Sequence, residues 1–345
     1  MSQRNESIPA IEHEIVFTNG EVHLSGTLAV PGKPGRHPAV VLISGSGPQN
    51  RDCEMSGFPL FKLLSRELCA SGVAVLRYDD RGVGGSGGSI KGSTLEDFAS
   101  DVEAAISFLR SRDDIRADAI GVIGHSEGGA VGLMVACRDP GIGFLAMLAG
   151  PGIPIRNNIL LQTEMIYRAN GMPEAQITRE VELQRRIFDV LASGADVESL
   201  RPVFLEKARA DVAEMRPDMR RALSDLNAFS RILYKQQMDM MDTPWFRSSL
   251  AFDPSPYLLD IRCPMLALFG GRDLQVPAHI NRSGIDASAV GDSAATRVFA
   301  DANHLFQKAE TGSPMEYGTL RKEFTGGFLD ALCGWVSSRF GLDSR

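Results

Sequence analysis

Gly124-His125-Ser126-Glu127-Gly128 sets a serine between two glycines at the G-x-S-x-G spacing. A serine hydroxyl becomes a nucleophile only where the backbone exposes it and a base can take its proton. The motif directly follows the apolar run 120–123 and opens the small-residue stretch 129–137, so it reads as strand, tight turn and helix. Gly124, Gly128 and Gly129 supply the space such a turn needs, and Ser126 falls at a helix N-terminus, where negative charge is favoured. A Gly-rich helix cap around an ordinary serine is the plain alternative, and that strand-to-helix setting weighs against it.

Six histidines could serve as the base. His13, His23 and His37 precede the first sheet-core strand and read as surface or hairpin residues. His125 belongs to the elbow itself, whose geometry points it away from the nucleophile, and His279 falls in the first turn of a helix. His304, in Ala302-Asn303-His304-Leu305-Phe306, follows the last strand and suits the chain order serine, acid, histidine. The acid in that order is Asp273, after the flexible exit Gly270-Gly271. Asp301 is the alternative, but three residues from His304 it reads as a loop cap.

Acyl transfer also needs donors aimed at a developing oxyanion. One is the N–H of Glu127, the residue after the serine; the other is expected from the small-residue loop that starts at Ser44, with Ser46 as the favoured donor.

These residues need a scaffold that brings them together. Runs 14–18 and 22–30 read as strands joined at Asn19-Gly20. Continuous apolar runs at 39–43, 73–76, 120–123 and 144–148 fit strands buried on both faces, and 265–269 and 296–300 read as the last two. Helical spacing covers 58–70, 95–109 (with Thr94 as N-cap), 130–137, 277–285 and a long final helix over 315–340. The alternation implies a mostly parallel sheet flanked by helices. Between 156 and 242 there is only helical text, at 159–169, 176–192, 200–214 and 216–241. Seven of the 13 methionines lie there, pliable side chains that suit an irregular cleft as well as plain helix packing. The expected organisation is an α/β core of residues 1–152 and 253–345 with a helical cap inserted at 153–252.

Taken together, Ser44-Gly-Ser-Gly-Pro-Gln-Asn-Arg-Asp52, Leu76-Arg-Tyr-Asp-Asp-Arg-Gly-Val-Gly-Gly-Ser86, Gly124-His-Ser-Glu-Gly-Gly129 and Leu148-Ala-Gly-Pro-Gly152 resemble the bacterial α/β-hydrolases of the esterase and serine aminopeptidase-like group. The likeness spans nearly the whole chain and thins in the helical insertion. It implies the triad Ser126, Asp273 and His304, an oxyanion hole from the Ser46 region and Glu127, a bracing role for the Asp79-Asp80-Arg81-Gly82 turn, and a preference for short acyl esters. Many α/β-hydrolases carry His-Gly where this chain has Ser44-Gly45.

Composition narrows the alternatives. A net charge of −7 without a Lys/Arg run disfavours nucleic-acid binding. Five dispersed cysteines with no C-x-x-C pair suggest reduced thiols, with neither a zinc knuckle nor a disulfide framework. The N-terminal stretch 1–10 is polar and unlike a signal peptide, and no run approaches the roughly 20 apolar residues of a membrane span, so the cytoplasm is the expected location. The expected activity is hydrolysis of a carboxylic ester through an acyl-enzyme, without metal or cofactor; the expected partner is a small-molecule ester, or a thioester in the second reading. Acyl transfer, thioester or peptide hydrolysis by the same residues, and a non-catalytic binding module, are the competing readings. Oligomeric state, homo-oligomer included, stays open.

Overall fold

A computed structural model describes residues 10–223, 225–288 and 294–342; the polar stretch 1–9 lies outside the described residues. The chain opens with an antiparallel hairpin, β1 (Ala10–Asn19) and β2 (Val22–Pro31). Asn19 pairs with Val22, so the turn is Gly20-Glu21, one residue later than the Asn-Gly signal suggests, and Gly20 takes φ +56°. Next come β3 (His37–Ile43) and a two-residue hairpin, β4 (Glu54–Met55) and β5 (Phe58–Pro59). Helix α1 (Leu60–Ala70) therefore starts after Phe58, not at it. Then follow β6 (Ala74–Tyr78), α2 (Leu95–Arg110), β7 (Ile115–His125), α3 (Glu127–Arg138) and β8 (Ile142–Leu148). Thr94 caps α2 as expected: its hydroxyl accepts from Asp97 N and the Asp97 carboxylate accepts from Thr94 N, a reciprocal capping box.

The helical stretch comprises α4 (Ile155–Ala169), α5 (Glu174–Ser193), α6 (Arg201–Glu214), α7 (Pro217–Ala222), α8 (Leu226–Met241) and α9 (Pro244–Ala251). The continuous helix expected at 216–241 is two. Asp225 caps the second, accepting from Asn227 N and Ala228 N at 2.8 and 3.1 Å, and a capping carboxylate starts a new helix because its own backbone is extended. The chain ends with α10 (Ser255–Asp260), β9 (Met265–Gly270), α11 (Ala278–Ala287), β10 (Ala294–Phe299) and α12 (Phe328–Arg339). The long helix expected from 315 is a second correction. Gly327, with φ +75°, starts α12 late, and the preceding residues pair with the His304 loop through Gln307–Phe324 and Thr325 N to Phe306 O (2.7 Å).

One eight-stranded sheet runs β1-β2-β6-β3-β7-β8-β9-β10, antiparallel only at the β1-β2-β6 edge. The chain passes from β3 outward to β6 and then back to β7 on the other side of β3. That reversal leaves a crevice at the carboxyl ends of β3 and β7, where open α/β sheets place ligands. Both faces are covered, by α1 and α12 on one side and by α2, α3, α10 and α11 on the other, which is why β3, β6 and β9 are buried at every residue. The helical stretch has a small core of its own around Phe188, Phe204 and Met241. Among the described residues no helix is long and apolar enough to cross a membrane.

Candidate active site

The Ser126 backbone is the first sign of chemistry. It sits between β7 and α3 at φ +54° and ψ −122°, a conformation L-residues adopt only when the surroundings enforce it. Neighbouring glycines are that enforcement. A Cβ on Gly124 would lie 2.1 Å from the Gly128 carbonyl oxygen, and one on Gly128 would lie 2.2 Å from that of Ile43. Ser126 N continues the parallel ladder onto Leu148 O at 2.8 Å, and Gly129 N closes the turn onto Ser126 O at 2.9 Å. The strained turn thus lifts the side chain off the carboxyl end of β7, at the start of α3.

The structure brings His304 and Asp273 together. His304 Nδ1 donates to Asp273 Oδ2 at 2.7 Å, and both residues are buried. The second oxygen of Asp273 accepts from the N–H groups of Gln275 and Val276 at 2.7 and 2.9 Å, so the carboxylate cannot rotate away from the imidazole. Asp301, the alternative acid, instead accepts from Thr325 Oγ1 at 2.7 Å. His125 reaches across to the same loop: its Nε2 lies 3.0 Å from the His304 carbonyl, and the rings are 4.8 Å apart. A carbonyl only accepts, so His125 Nε2 carries the proton, and Nδ1 is bare, buried and without a hydrogen-bond partner among the described residues. Burial first, and the neighbouring His304 second, hold the His125 imidazole down at about 3. It stays neutral and adds no charge against an imidazolium at 304. Among the described residues no hydrogen bond joins the Ser126 hydroxyl to His304. In free enzymes such contacts are often long and tighten with substrate.

Of the two expected oxyanion donors, Glu127 opens α3, so its N–H is a first-turn donor that no helical carbonyl can reach. In the loop after β3, Gly45 lies against Ser126, where a Cβ would be 3.1 Å from Ser126 Cβ. Ser46 lines the cleft together with Ser126 and Glu127. The Asp79-Asp80-Arg81-Gly82 turn holds this loop. Asp80 accepts from Ser44 Oγ (2.5 Å) and Gln49 N (2.9 Å), Asp79 from Arg51 N (2.8 Å), and Arg81 binds Asp101 (2.6 Å). Burial pushes the Asp80 carboxyl up to about 7 against those hydrogen bonds.

The cleft has a volume of about 310 Å³. One wall is apolar, with Ile155, Ile159, Met240, Trp245, Phe246 and Val276, and Asn158, Gln162 and Gln275 bring amides. Among its lining residues Glu127 is the sole titratable group. Met240 is the one methionine of the helical stretch that lines it.

Sequence reasoning missed several supports. Tyr317 lies in the segment expected to be helical; its hydroxyl accepts from Gln275 Nε2 (2.9 Å), next to the Gln275 N–H that holds Asp273. Trp245 and Ser249, on the unforeseen helix α9, donate to Glu127. No local pattern marks residues that matter only through a fold contact. His37, read as a surface residue, is buried at the start of β3, its Nε2 on Lys33 O at 2.9 Å.

Comparison with known proteins extends this picture. Esterase EstD of Thermotoga maritima is 26% identical over 309 residues, 89% of this chain, and mouse mitochondrial acyl-coenzyme A thioesterase 2 is 27% identical over 146 residues, 42% of it. The chain spans 63% of the length of the first and 29% of the second. A solved esterase of Pyrococcus furiosus superposes with a TM-score of 0.56 at 18% identity, covering 98% of this chain and 93% of that one, a likeness of fold. The alpha/beta hydrolase family model matches residues 40–311, which include the elbow, the acid loop and the histidine loop, and the chain belongs to that family.

Proposed function

We propose that the chain hydrolyses carboxylic esters of small, uncharged substrates through a triad of Ser126, His304 and Asp273. In this reading His304 takes the Ser126 proton as the hydroxyl attacks the carbonyl, and the N–H groups of Glu127 and Ser46 hold the oxyanion. His304 then gives that proton to the leaving alcohol as the ester C–O bond breaks, and water, for which His304 is again the base, releases the acyl group from Ser126 as a carboxylic acid. The observation that carries the reading is the +54° φ of Ser126 on a strand-to-helix turn beside the buried His304–Asp273 pair. Strain of this kind persists where function needs it. The apolar wall and the lack of a cationic lining residue favour a neutral acyl group, and the cleft volume favours a short one.

Residues 153–252 act as a cap over a core formed by 1–152 and 253–345, and the protein works in the cytoplasm without a cofactor. Thioester hydrolysis is the second reading, favoured by the likeness to a thioesterase over 42% of the chain. A peptidase would need a free carboxylate for the substrate amine, and the only one among the described residues that line the cleft, Glu127, is already held by two donors.

The test is a p-nitrophenyl ester series, with a fluorophosphonate probe, on wild type and Ser126→Ala. Short-chain turnover and labelling should appear in the wild type and vanish in the variant; equal rates in the two would overturn the reading.

A further inference from the structure

The Glu127 side chain has no part in the triad or the oxyanion hole, yet it is placed with care. Its Oε1 accepts from Trp245 Nε1 at 3.0 Å and its Oε2 from Ser249 Oγ at 2.6 Å. Both donors lie on α9, four residues apart and therefore on one face of that helix. Next to them, Ser248 Oγ accepts from Leu95 N, the first residue of α2, at 3.0 Å. So α9 meets the core through hydrogen bonds at Trp245, Ser248 and Ser249, two of them on the residue that follows the nucleophile. Trp245 and Ser249 line the same cleft as Ser126 and Ser46, so the helix carrying the donors is also a wall of the substrate site.

Setting a carboxylate here is costly. Burial raises the Glu127 carboxyl above the usual range, and the Ser249 and Trp245 hydrogen bonds only partly offset that. A negative charge beside the place where an oxyanion develops also opposes catalysis unless donors absorb it. An apolar side chain would pack α9 with neither cost. What the carboxylate adds is direction: two charge-assisted bonds fix one face and one register of α9 against the elbow.

We infer that Glu127 is a positioning residue, a latch through Trp245 and Ser249 that seats helix α9 over the nucleophile and ties the shape of the acyl pocket to the residue supplying the oxyanion N–H. The inference rests on the reading of Ser126 as the nucleophile for its catalytic consequence, but the latch can be measured without any substrate.

Hydrogen exchange of the full chain, followed by mass spectrometry over residues 244–251, compares wild type with Ser249→Ala, Trp245→Phe and Glu127→Gln. Ser249→Ala and Trp245→Phe each remove one charge-assisted bond and Glu127→Gln takes the charge from both, so exchange in α9 should speed up by about tenfold or more while the sheet strands keep their protection. In the Glu127→Gln/Ser249→Ala double variant the effects should be non-additive, because both changes act on the same bond. With p-nitrophenyl butyrate, the loss in kcat/KM for Ser249→Ala should lie more in KM than in kcat, since the wall moves and the triad does not. If Glu127→Gln fails to fold, Ser249→Ala and Trp245→Phe leave the core residue intact and carry the test. Unchanged α9 exchange in these variants, or additive effects in the double variant, would overturn the latch. Absent fluorophosphonate labelling in the wild type would instead sink the hydrolase reading and leave the exchange result standing.

Discussion

The carboxyl edge of the sheet and the helical stretch that faces it across the cleft are built under different rules. At the sheet edge, backbone meets backbone: Gly124 and Gly128 each leave less room than a methyl group needs, and Ser126 is forced into a strained turn. On the other side the wall is side chains on α4, α8 and α9, several partly exposed, held by a small core and by the contacts on Glu127. The edge tolerates almost no change because a carbonyl oxygen cannot move out of the way, whereas flexible side chains can repack. The difference teaches where the two halves of an enzyme's properties would reside, with chemistry in the rigid edge and selectivity in the pliant wall.

Substitutions on each side should separate them. The largest effect is expected for Asp273→Asn. Gln275 N–H and Val276 N–H require an acceptor at Oδ1, so the new amide would turn its NH₂ toward His304 Nδ1. The imidazole would then carry its proton on Nε2 and could not act as base, lowering kcat by about 10⁴-fold with KM little changed. Steady-state kinetics on the best ester checks this, and a loss under tenfold would detach Asp273 from the triad.

Gly128→Ala comes next. The added methyl meets the Ile43 carbonyl at 2.2 Å and that of Ser44 at 2.5 Å, so a destabilisation of about 3 kcal/mol is expected in urea unfolding, with activity falling as the elbow shifts. A variant as stable and active as the wild type would mean that the edge is softer than its geometry.

His125→Gln probes the same edge through pH. The folded imidazole is held down at about 3, below its ordinary 6.5. The unfolded chain therefore binds the extra proton first, and stability is lost as pH falls below 6.5. Between pH 7 and 5 the wild type should lose about 2 kcal/mol from this group, and glutamine, which can still donate to the His304 carbonyl, should remove that part of the slope. Parallel slopes for the two proteins would contradict a buried neutral His125.

The smallest effect belongs to the wall. Met240, 49% exposed, lines the cleft from α8. Met240→Ala should change kcat/KM by at most about fivefold, more for longer acyl chains, and leave unfolding unaffected within about 0.5 kcal/mol. A loss comparable to that of Asp273→Asn would erase the distinction between edge and wall.

The same division governs what could be read in advance. The buried strands β3, β6, β8 and β9 were legible because burial on both faces demands an unbroken apolar run, and α2 because Thr94 and Asp97 write a capping box into four residues. The segment 315–327 was misread because helical spacing in a polar stretch says nothing of Gly327 at positive φ or of strand-like pairing with the His304 loop. The break at Asp225 was missed for a related reason: a lone aspartate in helical text is as often a surface charge as a cap.

What the amino-acid order by itself determined is the elbow, the order of candidate serine, acid and histidine, and the layered α/β plan, because these follow from local backbone needs and from the period of burial. Only the tertiary structure decided that His304 closes on Asp273 and not on Asp301, that His125 braces the histidine loop, and that Trp245 and Ser249 converge on Glu127. Those contacts join residues up to 179 positions apart. No local periodicity encodes them, since they exist only once the sheet and the helices over it have packed.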